Sequence, residues 1–223
     1  MDVSFGGGLA VMRVGVFGGT FDPVHFGHLI LAEQAREQGR LDQVWFIPAA
    51  RPPHKREGDL TRFDYRAEML ALAIAGNPAF QVLELEKDRP GPSYTVDTLA
   101  ELHRSKSEDD FWLLIGSDTL GDLGSWHERQ RLPELAGLLV MPRPGHAVPG
   151  VERVRQELAI ASNAELRMEV LEVPQIDISS RDLRRRASAG RSLRYLLPRA
   201  VEVYIREKHL YRNADTLRPL GHH

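Results

Sequence analysis

The sequence of 223 residues contains no cysteine. This absence excludes disulfide bonds, thiolate zinc sites and thiol nucleophiles, and it is typical of a chain that works in a reducing compartment. No apolar run approaches the ~20 residues that a membrane span needs. Positive charge is not in excess either, because the formal net charge is −2 at pH 7, so no overall basic field indicates nucleic acid. We therefore expect a cytoplasmic protein with no nucleic-acid and no membrane partner.

The size and composition of the chain are those of one folded domain with short extensions. With 42% hydrophobic and 27% charged residues, it can bury a sizeable core. Residues 1–11 are glycine-rich and lack the basic start of a secretory signal. We expect a mobile leader over 1–11, a single domain over 12–211 and a tail over 212–223.

Strand-like and helical segments alternate along the chain. Apolar or β-branched runs occur near 13–17, 43–47, 80–84, 111–115, 137–141 and 168–173, and amphipathic stretches near 28–38, 62–75, 94–105 and 151–161. Such alternation predicts an α/β fold, a Rossmann-like doubly wound parallel sheet with crossover helices. A C-terminal helical segment follows. There Ser179-Ser180 predicts the cap of a helix that stops at Gly190, and Pro198 predicts the first position of a last helix.

Residues 18–28 combine three features that handle phosphate. Gly18 and Gly19 follow an apolar run, so we expect a glycine turn whose backbone N–H groups can approach a phosphate closely. The start of the next helix favours negative charge. His25 and His28 can donate hydrogen bonds to phosphoryl oxygens. His28 also falls on the apolar face of that helix, which leaves a buried core histidine as the alternative, and Asp22-Pro23 is either a turn or a carboxylate that orients a neighbour.

Three further strings follow strand ends or open a helix. Pro52-Pro53-His54-Lys55 is either a solvated loop stiffened by its prolines or a loop that brings a lysine able to neutralise phosphate. Gly116-Ser117-Asp118 ends the most apolar run, and Asp118 is either a helix cap or a ligand of nucleotide hydroxyls. Ser93-Tyr94-Thr95 opens a helix, where the hydroxyls can cap free N–H groups. Because ligands bind beyond the carboxyl ends of parallel strands, we expect these strings at one edge of the sheet.

Two more features point to flat or anionic ligands. Trp126 lies in a polar stretch, so it either packs on the sheet edge or stacks on a ring. In Ile178-Ser179-Ser180-Arg181-Asp182-Leu183-Arg184, Ser180 and Arg184 share a helix face, and the guanidinium fork matches phosphate oxygens. Arg185 and Arg186 read as a solvated basic face.

These strings resemble, in order, the motifs of the HxGH nucleotidyltransferase superfamily and its bacterial nicotinate-nucleotide adenylyltransferases. The matches are GGTFDPVHFGH, PPHK, SYTVDTL, the tryptophan, and ISSRDLR, where Arg181 departs from the usual threonine. The resemblance spans about 12–211. It implies adenylyl transfer from ATP to nicotinate mononucleotide, giving deamido-NAD and pyrophosphate, with Mg²⁺ arriving on ATP and no dedicated metal site.

The resemblance also implies the roles of individual residues. Catalysis falls to His25, His28, Lys55 and Arg184. ATP binding falls to Gly18, Gly19, Thr20, Phe21, His25, His28, Gly116, Asp118, Ser179, Ser180 and Arg184. Mononucleotide binding falls to Lys55, Tyr94, Thr95 and Trp126.

Two alternatives remain open at this point. One is a sister transferase, such as a phosphopantetheine adenylyltransferase or a cytidylyltransferase. The other is a non-catalytic protein that binds nucleotide or RNA through the arginines between 181 and 199. The partners expected from the resemblance are ATP and nicotinate mononucleotide, and assembly into a homo-oligomer is left open.

Overall fold

The computed structural model describes residues 11–55 and 58–212. Apart from Val11 and Arg212, the expected leader and tail lie outside the described residues. The described part of the chain contains one sheet of six parallel strands, in the order β3-β2-β1-β4-β5-β6. The strands are β1 (Arg13–Gly19), β2 (Gln43–Pro48), β3 (Phe80–Val82), β4 (Asp110–Gly116), β5 (Gly137–Met141) and β6 (Met168–Val170). The predicted doubly wound parallel sheet is thus confirmed.

Helices connect the strands and close the chain. They are α1 (Phe26–Gln38), α2 (Phe63–Ile74), α3 (Thr95–Ser105), α4 (Ser117–Leu120), α5 (Leu132–Leu135), α6 (Val151–Leu158), α7 (Ser180–Ser188) and α8 (Arg199–Glu207). The hydroxyl of Ser179 accepts from the Asp182 N–H at 3.2 Å, which confirms the predicted cap of α7. Gly190 follows that helix at φ +67°, a conformation that favours glycine. Pro198 lies one position earlier than predicted, since α8 begins at Arg199.

The sheet buries an apolar layer on each face. Successive residues of β4 point to opposite faces, as the two-residue repeat of a strand requires. Trp112 and Leu114 belong to one apolar layer, and Leu113 and Ile115 belong to the other. Helices α1, α2, α7 and α8 cover the first face, and α3, α5 and α6 cover the second. Both faces of the central strands are therefore buried, which explains their unbroken apolar sequence.

The strand order reverses beside β1. The chain runs outward from β1 through β2 to β3, then returns to the other side of β1 with β4. Helix α1 follows β1 on one face of the sheet, and α4 follows β4 on the other. A crevice therefore opens between the carboxyl ends of β1 and β4. Within the described ranges, every helix is too short or too polar to span a bilayer.

Candidate active site

A cavity of about 460 Å³ opens at the carboxyl ends of β1, β2, β4 and β5. It adjoins a second hollow of about 860 Å³, and the two share walls that include His54, Thr95 and Trp126. The predicted convergence of motifs holds for most of the assigned positions. The first cavity is lined, among others, by Gly18, Gly19, Thr20, Phe21, His28, Thr95, Gly116, Asp118 and Trp126.

The two glycines are part of β1 and not of a turn. Gly18 pairs with Ile47 and Gly19 with Pro48. A Cβ on Gly18 would meet nothing within 4 Å, so the strand leaves open space beside the cavity, whereas a Cβ on Gly19 would approach the Phe21 ring to 3.0 Å. The expectation of a glycine turn was therefore wrong. The chain turns after the end of β1, where Phe21 adopts φ +46°. Such a conformation is costly for a bulky residue and is typical of functional sites.

The two histidines form a stacked pair at the start of α1. Their ring centroids are 3.7 Å apart at 28°. Gly27 makes this possible, because a Cβ there would lie 3.0 Å from Nδ1 of His25. The His25 N–H donates to Nδ1 of His28 at 3.3 Å, which leaves the proton of a neutral His28 ring on Nε2. His28 is half-buried and lines the cavity, while His25 is 2% exposed and lies behind it.

Both imidazoles are neutral near pH 7. Burial, with a contribution from the nearby charge of Arg143, lowers the pKa of His25 from 6.5 to about 3. Burial also lowers the pKa of His28 well below 6.5, and His25 and Arg143 add to the effect. Each ring can still donate one hydrogen bond, so the pair suits phosphoryl oxygens without carrying a formal charge.

The predicted Gly116-Ser117-Asp118 string positions a cation that sequence reasoning missed. Asp118 folds back over Gly116, where a Cβ would collide with its carboxylate. The Ser117 hydroxyl accepts from the Arg143 N–H at 2.9 Å and donates to the His146 carbonyl at 3.0 Å. Asp118 and Arg143 then form an ion pair at 3.5 Å. Only Pro142 separates Arg143 from the end of β5, so its place at the same sheet edge was the signal that could have identified it.

The second hollow carries the aromatic residues. It is lined by Pro53, His54, Ser93, Tyr94, Thr95, Thr119, Asp122, Ser125, Trp126 and His127. The rings of Tyr94 and His127 stack at 4.2 Å and 27°. Trp126 packs against the adjacent core and also lines both cavities, so its two alternatives are compatible. His127 directly follows Trp126 and was not singled out from the sequence.

The hydroxyl of Ser93 does not cap α3. It accepts from the N–H groups of Ala50 and Arg51 at 3.1 and 2.9 Å, and so ties the loop after β2 to the start of α3. The N-cap is Tyr94, without a side-chain cap. The capping interpretation of this string was wrong because the hydroxyl satisfies a neighbouring loop. Glu86, also unforeseen, is 6% exposed, lines the first cavity and accepts from the Thr98 hydroxyl at 2.6 Å.

The structure separates Lys55 from the residues it was grouped with. Lys55 is exposed and borders another hollow, of about 710 Å³, with Arg51, Arg62 and Arg66. Its neighbour His54 instead lines both cavities of the site. The lysine is long and flexible, and its loop lies at the rim of the site. Its assigned role remains a prediction.

The serine–arginine motif holds the turn before the histidines. The Ser180 hydroxyl donates to the Pro23 carbonyl at 2.9 Å, and Arg184 donates to the Asp22 carbonyl at 2.7 Å. Ser179 is occupied as the cap of α7. These three residues are not among those that line the first cavity. In this structure, therefore, the motif fixes the backbone of the site, and direct contact with ATP stays a prediction.

Metal ligands do not cluster in the residues described here, where no three histidine, aspartate or glutamate side chains could together hold an ion. Two carboxylates, those of Glu86 and Asp118, line the first cavity. The Asp118 carboxylate already forms an ion pair with Arg143.

Comparisons with known proteins bear on this geometry. The sequence model of the cytidylyltransferase-like family matches residues 16–186. A protein of Thermus thermophilus named "Probable nicotinate-nucleotide adenylyltransferase" is 47% identical over 201 residues, which cover 90% of this chain and 100% of that one. A protein of the same name from Thermomicrobium roseum is 44% identical over 207 residues, or 93% of this chain and 95% of that one.

A solved structure shows the same architecture. The nicotinic acid mononucleotide adenylyltransferase of Plasmodium falciparum, complexed with NaAD, superposes with a TM-score of 0.74. The superposition covers 90% of this chain and 97% of that one, at 18% sequence identity. At that identity the likeness establishes the fold.

Proposed function

Since the chain belongs to the nicotinate-nucleotide adenylyltransferase family, within the cytidylyltransferase-like proteins, we propose that it is the enzyme that transfers the adenylyl group of ATP to nicotinate mononucleotide. The products are deamido-NAD and pyrophosphate, and the step belongs to NAD biosynthesis. The observation that carries the proposal is the pair of adjoining cavities, one with glycine, histidine and arginine, the other with aromatic rings.

The reaction needs no protein nucleophile. An oxygen of the mononucleotide 5′-phosphate attacks the α-phosphorus of ATP and forms a new P–O bond. The bond from the α-phosphorus to the oxygen that bridges to the β-phosphorus breaks, and its electron pair leaves with pyrophosphate. The protein's task is to hold two polyanions in line and to stabilise the charge that develops on the phosphoryl oxygens.

The first cavity takes the phosphates of ATP. The open space beside Gly18 admits a phosphate to the end of β1. His28 supplies the Nε2–H donor, with His25 stacked behind it. Arg143 supplies positive charge beside the pair. Lys55 and Arg184 are proposed to engage the polyphosphate from the rim, Arg184 through the part of its guanidinium fork that does not hold the Asp22 carbonyl.

The second hollow takes the pyridine ring. Trp126 offers a flat surface there. Tyr94 and Thr95 open α3, whose first N–H groups lack a side-chain cap and can receive the nicotinate carboxylate. Mg²⁺ is proposed to enter on the phosphates of ATP and to neutralise part of their charge. The absence of cysteine and of nucleic-acid signals fits a cytoplasmic enzyme with small-molecule partners.

A pyrophosphate-release assay tests the proposal. ATP and Mg²⁺ are supplied with nicotinate mononucleotide, nicotinamide mononucleotide or phosphopantetheine in parallel reactions. We expect turnover with nicotinate mononucleotide, and deamido-NAD identified by mass. Turnover with phosphopantetheine and none with either pyridine mononucleotide would assign the chain to a sister transferase. No turnover with any of them would leave a binding protein.

A further inference from the structure

Asp22 is a fully buried carboxylate whose partners come from distant parts of the chain. It is 0% exposed. The Tyr211 hydroxyl donates to its Oδ1 at 2.6 Å, and the Thr61 N–H donates to its Oδ2 at 3.2 Å. A buried charge needs such donors, because it has lost its water.

The same turn is held through its carbonyl groups. Arg184 donates to the Asp22 carbonyl, and Ser180 to the Pro23 carbonyl. Four donors from three regions, the loop before α2, α7 and the segment after α8, therefore meet at two residues. The turn leads directly into His25, so its position sets where the stacked histidines lie.

Tyr211 is the most remote of these donors, 189 positions along the chain from Asp22. Its hydroxyl stays protonated, because burial and the charge of Asp22 raise the pKa of Tyr211 above its usual value. It follows α8, the last helix of the described chain, and α8 packs on α2. The last segment of the fold is thus connected to the turn that begins the active site.

We propose that Tyr211 is a positioning residue, whose hydroxyl fixes Asp22 and through it the turn that places His25 and His28. It touches no substrate in this role. The kinetic part of the proposal rests on the proposed adenylyl transfer. The spectroscopic part concerns the histidine rings of the free protein and stands apart from that reaction.

The kinetic test compares two tyrosine variants. Tyr211→Phe removes the hydroxyl and keeps the ring. Tyr204→Phe is the matched control, because Tyr204 also donates to a carboxylate, that of Glu68, from the same C-terminal region. Displacement of reacting groups by about 1 Å can cost about 100-fold in rate. We expect kcat to fall about 10- to 100-fold in Tyr211→Phe with little change in KM for nicotinate mononucleotide, and to stay within about twofold in Tyr204→Phe.

The spectroscopic test uses the free protein labelled with ¹⁵N at the histidine rings. The signals of His25 and His28, assigned by their loss in His25→Asn and His28→Asn, should shift in Tyr211→Phe and stay in place in Tyr204→Phe. Asp22→Asn, which weakens the same hydrogen bond, is a second variant and should shift the same signals.

Unmoved imidazole signals in both Tyr211→Phe and Asp22→Asn would overturn the proposal, whatever the rates. Equal loss of kcat in both tyrosine variants would also overturn it, since the effect would then be one of general stability. If the wild-type protein has no turnover, the proposed reaction fails, and the imidazole shifts still decide whether Tyr211 positions the turn.

Discussion

At the residue scale, the stacked histidines matter because they are uncharged. A motif with two imidazoles beside phosphate suggests two cations, yet burial keeps the pKa of each ring low. Arg143 supplies the positive charge instead, and its repulsion contributes to keeping the rings neutral. Among the described residues that line the first cavity, Arg143 therefore supplies the fixed positive charge and His28 supplies a neutral donor at Nε2.

This assignment predicts how stability depends on pH. A histidine whose pKa is lowered on folding stabilises the protein above its unfolded pKa of 6.5, and that contribution is lost as the pH falls toward 3. Between pH 7 and pH 5, His25 alone should reduce the free energy of unfolding by about 2 kcal/mol. Urea unfolding at the two pH values measures it. His25→Asn should show a smaller loss than the wild type, and His209→Asn, at an exposed position, the same loss as the wild type.

The donor role of His28 predicts an order among its variants. His28→Gln can place an amide N–H near the position of Nε2. The shorter side chain of His28→Asn reaches only the position of Nδ1 and leaves that of Nε2 without a donor. We expect His28→Asn to lower kcat about 10²- to 10³-fold, as the loss of one charge-stabilising donor does, and His28→Gln to lower it less. Steady-state rates per folded molecule measure this. If both variants melt early with turnover per folded molecule unchanged, His28 is a core histidine and its catalytic role is wrong.

At the scale of elements, the sequence predicted what depends on local pattern. The apolar or β-branched runs placed all six described strands. The signal was strongest for the four inner strands β1, β2, β4 and β5, because a parallel strand covered on both faces must be largely apolar. It missed the four-residue helices α4 and α5, which are too short to have a period. It also missed Arg143 and Glu86, whose importance comes from which strand ends lie together. The hydroxyl of Ser93 was misread because its partners, Ala50 and Arg51, lie more than 40 residues away in the chain.

Helix α7 offers a matched pair of arginines for a third prediction. Arg184 donates to the Asp22 carbonyl, while Arg186 donates to the Ser192 carbonyl on the loop after the helix. Lysine keeps the charge of either residue but not the paired donors of the fork. A hydrogen bond from a charged group is worth about 1.5–3 kcal/mol, so we expect Arg184→Lys to reduce kcat/KM for ATP about tenfold or more.

Arg186→Lys should leave kcat/KM for ATP within about twofold, measured in the same assay at saturating mononucleotide. Equal losses in the two variants would mean that the arginines act as a diffuse basic patch. The specific place of Arg184 in the site would then be wrong.

At the scale of the whole molecule, the reversal of strand order brings the site together. The residues that line the first cavity come from segments between residues 17 and 143, and they meet because β1, β2, β4 and β5 end at one edge. Sequence reasoning could place this edge, since it follows from parallel strands alone. It could not place side chains such as Lys55, whose position depends on the path of a loop.

The three tryptophans lie in different parts of the molecule, so their fluorescence can report on the core and on the site separately. Trp45 and Trp112 are 2% and 5% exposed and belong to the cores on opposite faces of the sheet. Trp126 lines both cavities. Nicotinate mononucleotide should therefore change the emission of Trp126, because a stacked pyridine ring replaces water at its face, and should leave the two buried indoles unaffected.

Titration of the wild type and of Trp126→Phe with nicotinate mononucleotide measures this. We expect the change in emission to be lost in Trp126→Phe and the affinity to fall, as removal of a stacking surface worth about 1 kcal/mol would require. Titration with ATP alone is the comparison, since Trp126 also lines the first cavity and the response to ATP must be separated from the response to the pyridine ring. An unaltered response to the mononucleotide in Trp126→Phe would trace the signal to Trp45 or Trp112. The pyridine ring would then have to lie elsewhere, and the second hollow would lose its assigned ligand while the phosphate end of the site, built on β1 and α1, would stand.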